Sequence, residues 1–175
     1  MSEKVHLYHQ VPEEMRGDVL HPLNTLKDVH PDIYASEVAK YKGREEVMEQ
    51  VIPGLNAKWN DVVHLSAVHP QELHSALREA GVSDLRPFNA FEIDPEVHGM
   101  TAENTIVYIP KIGGEGIFVE FDPRKLSGYS RIPEATKEYY RRMVATGSKP
   151  LIFLGVPHIF HKGPLDVSKA RRVKP

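Results

Sequence analysis

The sequence contains no cysteine. A disulfide framework, an iron–sulfur cluster, a thiolate zinc site and a cysteine nucleophile are therefore all excluded. Charge of one sign is also lacking. The 22 basic and 24 acidic side chains leave a formal net charge of -2, which argues against a dominant electrostatic grip on nucleic acid and leaves room for a local basic patch. Long apolar runs are missing too. The segment Leu151-Ile152-Phe153-Leu154-Gly155-Val156 is far shorter than the roughly 20 residues a membrane-spanning helix needs. Met1-Ser2-Glu3-Lys4 lacks the charged-then-apolar layout of a secretory signal. The expectation is a soluble, cytoplasmic protein with no membrane partner. No Walker loop, G-x-G-x-x-G or G-x-S-x-G motif occurs, and Gly113-Gly114-Glu115-Gly116 is not followed by Lys-Ser/Thr. That argues against a nucleotide triphosphatase, a dinucleotide-type dehydrogenase and an α/β-hydrolase. No repeat or linker interrupts the 175 residues, which suits one domain spanning 1–175.

Fourteen prolines and twelve glycines are spread along the chain, which predicts many short elements. Strands are expected at Val5 to His9, Asp18 to Leu20, Asp61 to Ser66, Leu85 to Ile93, Thr105 to Ile109 and Ile117 to Phe121, where β-branched and aromatic residues cluster. Leu151 to Val156 reads as a central strand because it is apolar throughout. Ile159-Phe160 and Val167 to Val173 read as further extended pieces. Helices are expected at Pro31 to Tyr41, with Asp28 as a cap, and at Arg44 to Ile52, Pro70 to Ala80 and Pro133 to Thr146, from apolar spacing, N-terminal proline and C-terminal glycine. The elements do not alternate strand and helix regularly. The fold class is therefore α+β: a mixed, mainly antiparallel sheet or sheets with helices to one side.

Ten histidines dominate the polar composition. Histidine is the usual neutral-pH acid, base or metal ligand. His6/His9 and His158/His161 are three apart, which in strands points them to opposite faces, and no H-E-x-x-H occurs. No metal ligands are assigned. In Asp61-Val62-Val63-His64-Leu65-Ser66, His64 and Ser66 share one face at a strand end, where sites concentrate. Trp59-Asn60 just upstream offers an aromatic wall and an amide. The structural alternative is a buried His64 and a Ser66 that caps the next turn. His9 ends the first strand on the parity of Val5 and Leu7. Lys40, Tyr41, Lys42 and Arg44 form a basic cluster that could face solvent or meet a phosphate. Glu92, Glu120 and Asp166 are acidic residues in or beside strands; one could be a catalytic carboxylate, and a solvent-facing strand position is the default for each.

Most of the chain resembles a family of uncharacterised bacterial proteins, through Leu7-Tyr8-His9, Pro22-Leu23-Asn24, Trp59-Asn60-Asp61-Val62, Pro157-His158 and Asp166-Val167-Ser168. Three features of the first eighty residues are more distantly similar to the ADP-ribosyltransferase-like superfamily, which includes the RNA 2′-phosphotransferases. They are Tyr8-His9 at the end of a first strand, Gly17-Asp18-Val19-Leu20, and His64-Leu65-Ser66 before a helix. Gln10-Val11 stand where the superfamily often has Gly-Thr. The resemblance implies NAD bound between two small sheets, with an unknown acceptor. It implies catalytic roles for His9, His64, Ser66 and, as the late-strand acid, Glu120. It implies cofactor contacts from Tyr8, Tyr34 and Arg44: an aromatic such as Tyr34 stacks on nicotinamide, and Arg44 neutralises pyrophosphate.

Two other readings stand beside this one. A metal-independent ribonuclease or phosphodiesterase would use two histidines, for example His64 and His158, as acid and base beside an arginine. A non-enzymatic binding or interaction module would scatter its histidines and expose an apolar patch.

Overall fold

The computed structural model describes residues 3–175, so Met1 and Ser2 of the Met1–Lys4 stretch lie outside the described residues. The elements are short, as the proline and glycine spacing predicts. In order they are β1 (Leu7–Gln10), β2 (Val19–Leu20), α1 (Leu23–Val29), α2 (Pro31–Ala39), β3 (Val51–Ile52), β4 (Ala57–Lys58), β5 (Val62–Leu65), α3 (Pro70–Glu79), β6 (Ala90–Ile93), β7 (Thr105–Lys111), β8 (Gly114–Glu120), α4 (Glu134–Ala145), β9 (His158–Lys162), β10 (Leu165–Asp166) and β11 (Arg171–Val173). Short 3-10 turns occupy Glu45–Glu49, Trp59–Asp61 and Pro123–Tyr129. No helix among the described residues is long and apolar enough to cross a membrane.

Two antiparallel sheets form the frame. One has the order β1-β6-β11 and the other β5-β9-β7-β8. Alternation sorts their side chains. Leu7, Phe91 and Ile93 from the first sheet join Val63, Leu65, Val107 and Ile159 from the second in one buried cluster. The opposite face of the second sheet carries Val62, Ile106 and Phe160, packed with Ile52, Leu55 and Ala57. The Leu73, Ala76 and Leu77 stripe of α3 meets Tyr139 and Tyr140 of α4. This is the expected α+β class, with antiparallel sheets and helices packed to one side.

Four local expectations change. Leu151 to Val156 is not a strand but a series of turns, and the central position in its sheet goes to β9. The reason is α4. Tyr140 donates from its hydroxyl to the Ile152 carbonyl, Thr136 Oγ1 donates to the Leu154 carbonyl at 3.0 Å, and the Leu151 N–H donates to the Tyr139 hydroxyl at 3.0 Å. Those hydroxyls take the backbone groups a sheet neighbour would have paired. Arg44 to Ile52 splits into the 3-10 turn and β3. The strand expected from Leu85 begins only at Ala90, because Pro87 cannot donate to a ladder. Leu23–Val29 is an additional helix, and the cap position of α2 is His30, without a side-chain cap bond, rather than Asp28.

Gly155 makes the 151–156 segment possible. It has φ +78°, and a Cβ there would sit 2.5 Å from Thr136 Oγ1 and 2.9 Å from Ile112 Cδ1. Gly155→Ala is therefore expected to destabilise the fold by about 2–4 kcal/mol, through positive-φ strain and overpacking. A urea midpoint unchanged from the parent protein would show that the segment yields freely.

Candidate functional site

Besides their shared core, the two sheets are linked by one pair of backbone hydrogen bonds. Tyr8 N–H donates to the Ser66 carbonyl at 2.7 Å, and Ser66 N–H donates to the Tyr8 carbonyl at 3.0 Å. Beyond that bridge, towards Gln10 and His64, β1 and β5 no longer pair. A cleft of about 690 Å³ opens in the gap and is roofed by α1, α2 and the 11–22 segment. Five of the ten histidines line it: His9, His21, His30, His64 and His158. Alternation explains two of them. His64 and Ser66 share the face of β5 that Val63 and Leu65 do not, and His9 follows Leu7 by two on β1.

The β5–β9 wall is aromatic. The His64 ring centroid lies 5.0 Å from Trp59, 4.7 Å from Phe160 and 6.5 Å from His158. Trp59 packs edge-on against Phe160 at 4.9 Å. Burial pushes His64 down to about 3, and the neighbouring His158 and His9 add to that shift. Burial lowers His158 to about 4. His9 is lowered by burial, while its hydrogen bond to the Gln10 carbonyl and the nearby Glu37 carboxylate oppose the shift. At neutral pH these imidazoles are uncharged. His9 Nδ1 lies 2.7 Å from the Gln10 carbonyl oxygen. A carbonyl only accepts, so the proton is on Nδ1 and Nε2 keeps its lone pair.

The α2 wall is polar. Ile33, Ser36 and Glu37 line the cleft, with Lys40 and Tyr41 just beyond the helix, at the i, i+3, i+4, i+7, i+8 spacing of one helical face. Lys40 donates to both Glu37 oxygens at 2.7 and 2.9 Å. Arg16 is bidentate to Asp32 at 3.0 and 2.5 Å. These are the two Lys or Arg side chains on the cleft wall, and both are ion-paired. His21 also lines the cleft, its Nδ1 is buried without a partner, and its ring is 6.1 Å from that of His30.

The chain matches no family model, no curated protein and no solved structure. Its site is read from its own geometry.

The cleft gathers His9, His64 and Ser66, as the sequence expectation has it. Ser66 Oγ also accepts the Val68 N–H at 3.1 Å, so the turn-capping alternative holds for this residue. Tyr8 reaches the cleft at the seam, but its ring packs against His69 at 5.0 Å. Burial, then the Glu92 carboxylate, push its phenol up to about 12. Tyr34 and Arg44 do not line the cleft. Tyr34 falls outside the α2 stripe, and the Arg44 guanidinium sits 5.4 Å over the Tyr41 ring. Glu120 is exposed on the outer edge strand. It shares a cross-strand row with His64 through Phe160 and Ile106, three strands away, which is roughly 14 Å at about 4.8 Å per strand. Among the described residues no three His, Asp or Glu side chains are grouped to hold a metal ion. Sequence reasoning had Lys40 and Tyr41 only as members of a basic cluster, and missed Glu37, His21 and His30 as lining residues. The α2 stripe was the available signal for Glu37; nothing local along the chain marks the two histidines.

Proposed function

We infer that the cleft binds a nicotinamide dinucleotide and that the protein transfers its ADP-ribosyl group to an acceptor or to water, on a fold of the ADP-ribosyltransferase-like kind. The seam carries this reading: two antiparallel sheets joined by one backbone bridge, with His9 and His64 flanking the opening. The volume of about 690 Å³ falls in the roughly 300–1,000 Å³ range of small-molecule sites. The reaction breaks the bond from ribose C1′ to nicotinamide nitrogen, whose electron pair leaves with nicotinamide, while an oxygen of water or acceptor bonds to C1′ and releases its proton. Positive charge develops on the ribose, so a carboxylate beside it stabilises the transition state.

The residues take these roles. His9 accepts a ribose hydroxyl proton at its bare Nε2. Trp59 and Tyr41 supply the aromatic surface in place of Tyr34. Lys40 and Arg16 meet the pyrophosphate in place of Arg44, exchanging their present carboxylate partners for phosphate oxygens. Glu37, half-buried in the α2 wall, supplies the carboxylate in place of Glu120. The neutral imidazoles of His64 and His158 suit hydrogen bonding to sugar hydroxyls. They suit acid–base cleavage of a phosphodiester less, because that needs one imidazole protonated near neutrality.

A second reading is a cleft that binds nucleotide without turning it over. The observation favouring it is that no strand of the cleft wall carries a carboxylate. Thermal unfolding with NAD and with ADP-ribose, alongside chromatography of released nicotinamide, separates the two. Transfer or hydrolysis predicts stabilisation by mass action together with nicotinamide release. Glu37→Gln is then expected to cut turnover by about a hundredfold or more while binding persists, and Glu120→Gln to leave it unchanged. Stabilisation without release, with or without added acceptors, supports the binding-only reading. No response to either nucleotide removes both.

A further inference from the structure

A second, separate cleft of about 360 Å³ is lined by Val97, His98, His161, Pro164, Leu165, Asp166, Ser168 and Lys169. It shares no residue with the first. His161 forms its floor. This side chain is only 6% exposed, and a chain of hydrogen bonds determines its tautomer. Asn104 Oδ1 accepts the Thr101 N–H at 2.9 Å, while Asn104 Nδ2 donates to the Gly99 carbonyl at 3.0 Å. The amide orientation is thereby assigned. Thr105 Oγ1 donates its one proton to Asn104 Oδ1 at 2.8 Å. Towards His161 Nδ1, 3.1 Å away, Thr105 Oγ1 therefore accepts, and His161 carries its proton on Nδ1.

His161 Nε2 is left with a lone pair and no protein donor. Among the described residues only His21 Nδ1 and Asn60 Oδ1 are sealed without a partner, so Nε2 opens onto the cleft that His161 lines. His98 repeats the arrangement. Its Nδ1 lies 2.8 Å from the Asp94 carbonyl oxygen and must donate, so in the neutral ring Nε2 is the acceptor. Asp166 completes the wall. Its Oδ1 accepts the Ser168 N–H at 2.8 Å, and no Lys, Arg or His nitrogen of the described residues forms an ion pair with it. The cleft thus offers the His161 Nε2 lone pair, the Nε2 of a neutral His98 and a carboxylate with no ion-pair partner within 4.0 Å, held low by Ser168 and by the charges of His98 and Lys169. Lys169, exposed at the rim, is the one Lys or Arg on its wall.

We propose that this cleft binds a small guanidinium compound, whose N–H groups donate to His98 Nε2, His161 Nε2 and the Asp166 carboxylate. A guanidinium has five donors in a planar fork and no acceptor, which matches a wall of acceptors. The size of the cleft suits a single functional group with a short aliphatic stem lying along Val97, Pro164 and Leu165.

The test is a titration of the full chain with methylguanidinium, followed by long-range proton–nitrogen NMR of the imidazoles. The Nε2 resonances of His98 and His161 are expected to move together and saturate, while those of His9, His64 and His158 stay in place. Asp166→Asn keeps the acceptor for Ser168 N–H and removes the charge. It is expected to weaken binding about tenfold or more, the loss of a charge-assisted hydrogen bond. Lys169→Ala removes the like charge and is expected to tighten binding. No movement at tens of millimolar ligand, on the order of the weakest specific affinities, would overturn the proposal. So would the same two resonances responding to acetate or zinc and not to methylguanidinium, or an Asp166→Asn variant that binds as well as the parent.

Discussion

Lowering the pH from about 7 to about 5 is expected to remove about 2 kcal/mol of folding stability for each of His64 and His158. The unfolded chain takes up these protons near 6.5. The folded chain holds His64 down at about 3, because the ring is buried and faces His158 and His9, and holds His158 at about 4 by burial. Between those limits the unfolded state binds more protons, so stability rises with pH and falls as the solution is acidified through 6.5. The loss levels off near pH 4 for His158 and continues towards 3 for His64. His9, His21 and His161 are also lowered by burial and add to the loss with the same sign. Urea unfolding across this range checks the expectation, and His64→Gln and His158→Gln should each flatten the slope. Stability that stays level from pH 7 to 5, with both rings titrating near 6.5, would show that the cleft admits water freely to these side chains.

Phe160→Ala is expected to destabilise the protein by about 3–5 kcal/mol, the usual cost of emptying a buried phenylalanine site. Phe160 is fully buried on β9, which is paired on both sides by β5 and β7. Its ring packs 4.7 Å from His64, 4.9 Å from Trp59 and 5.8 Å from Tyr108. Both neighbouring strands restrict how far the backbone can move, so little of the space can collapse. Phe118, at the half-buried outer strand, is expected to cost far less when cut to alanine. Phe160→Leu keeps most of the volume and removes the edge-on ring contact to His64, so it isolates that contact's effect on ligand binding. Equal urea midpoints for the Phe160→Ala and Phe118→Ala proteins would contradict this account of the core.

Sequence reading succeeded where alternation or helical spacing is local and unopposed. Val62, His64 and Ser66 share a face in the structure, and α3 keeps its Leu73, Ala76 and Leu77 stripe. It failed where a distant element supplied the hydrogen-bond partners. The apolar run at 151–156 has the composition of a buried strand. It becomes a turn segment because Thr136, Tyr139 and Tyr140 of α4 satisfy its backbone, and because Gly155 reverses the chain. Glu120 fails as a cleft residue for a similar reason. It lies on the expected strand, but pairing order sets it three strands from His64.

The sequence by itself determined the absence of thiol chemistry, the α+β class and the face that His64 shares with Val62 on its strand. Those follow from residue type and from the two-residue and 3.6-residue periods, which are properties of neighbours along the chain. The tertiary structure alone decided that β1 and β5 part beyond the Tyr8–Ser66 bridge, that α2 roofs the gap with Glu37 and Lys40, and that His98, His161 and Asp166 line one second cleft. Strand order and sheet separation depend on contacts between residues far apart in sequence. In a single chain, nothing in local periodicity encodes which distant strands become neighbours.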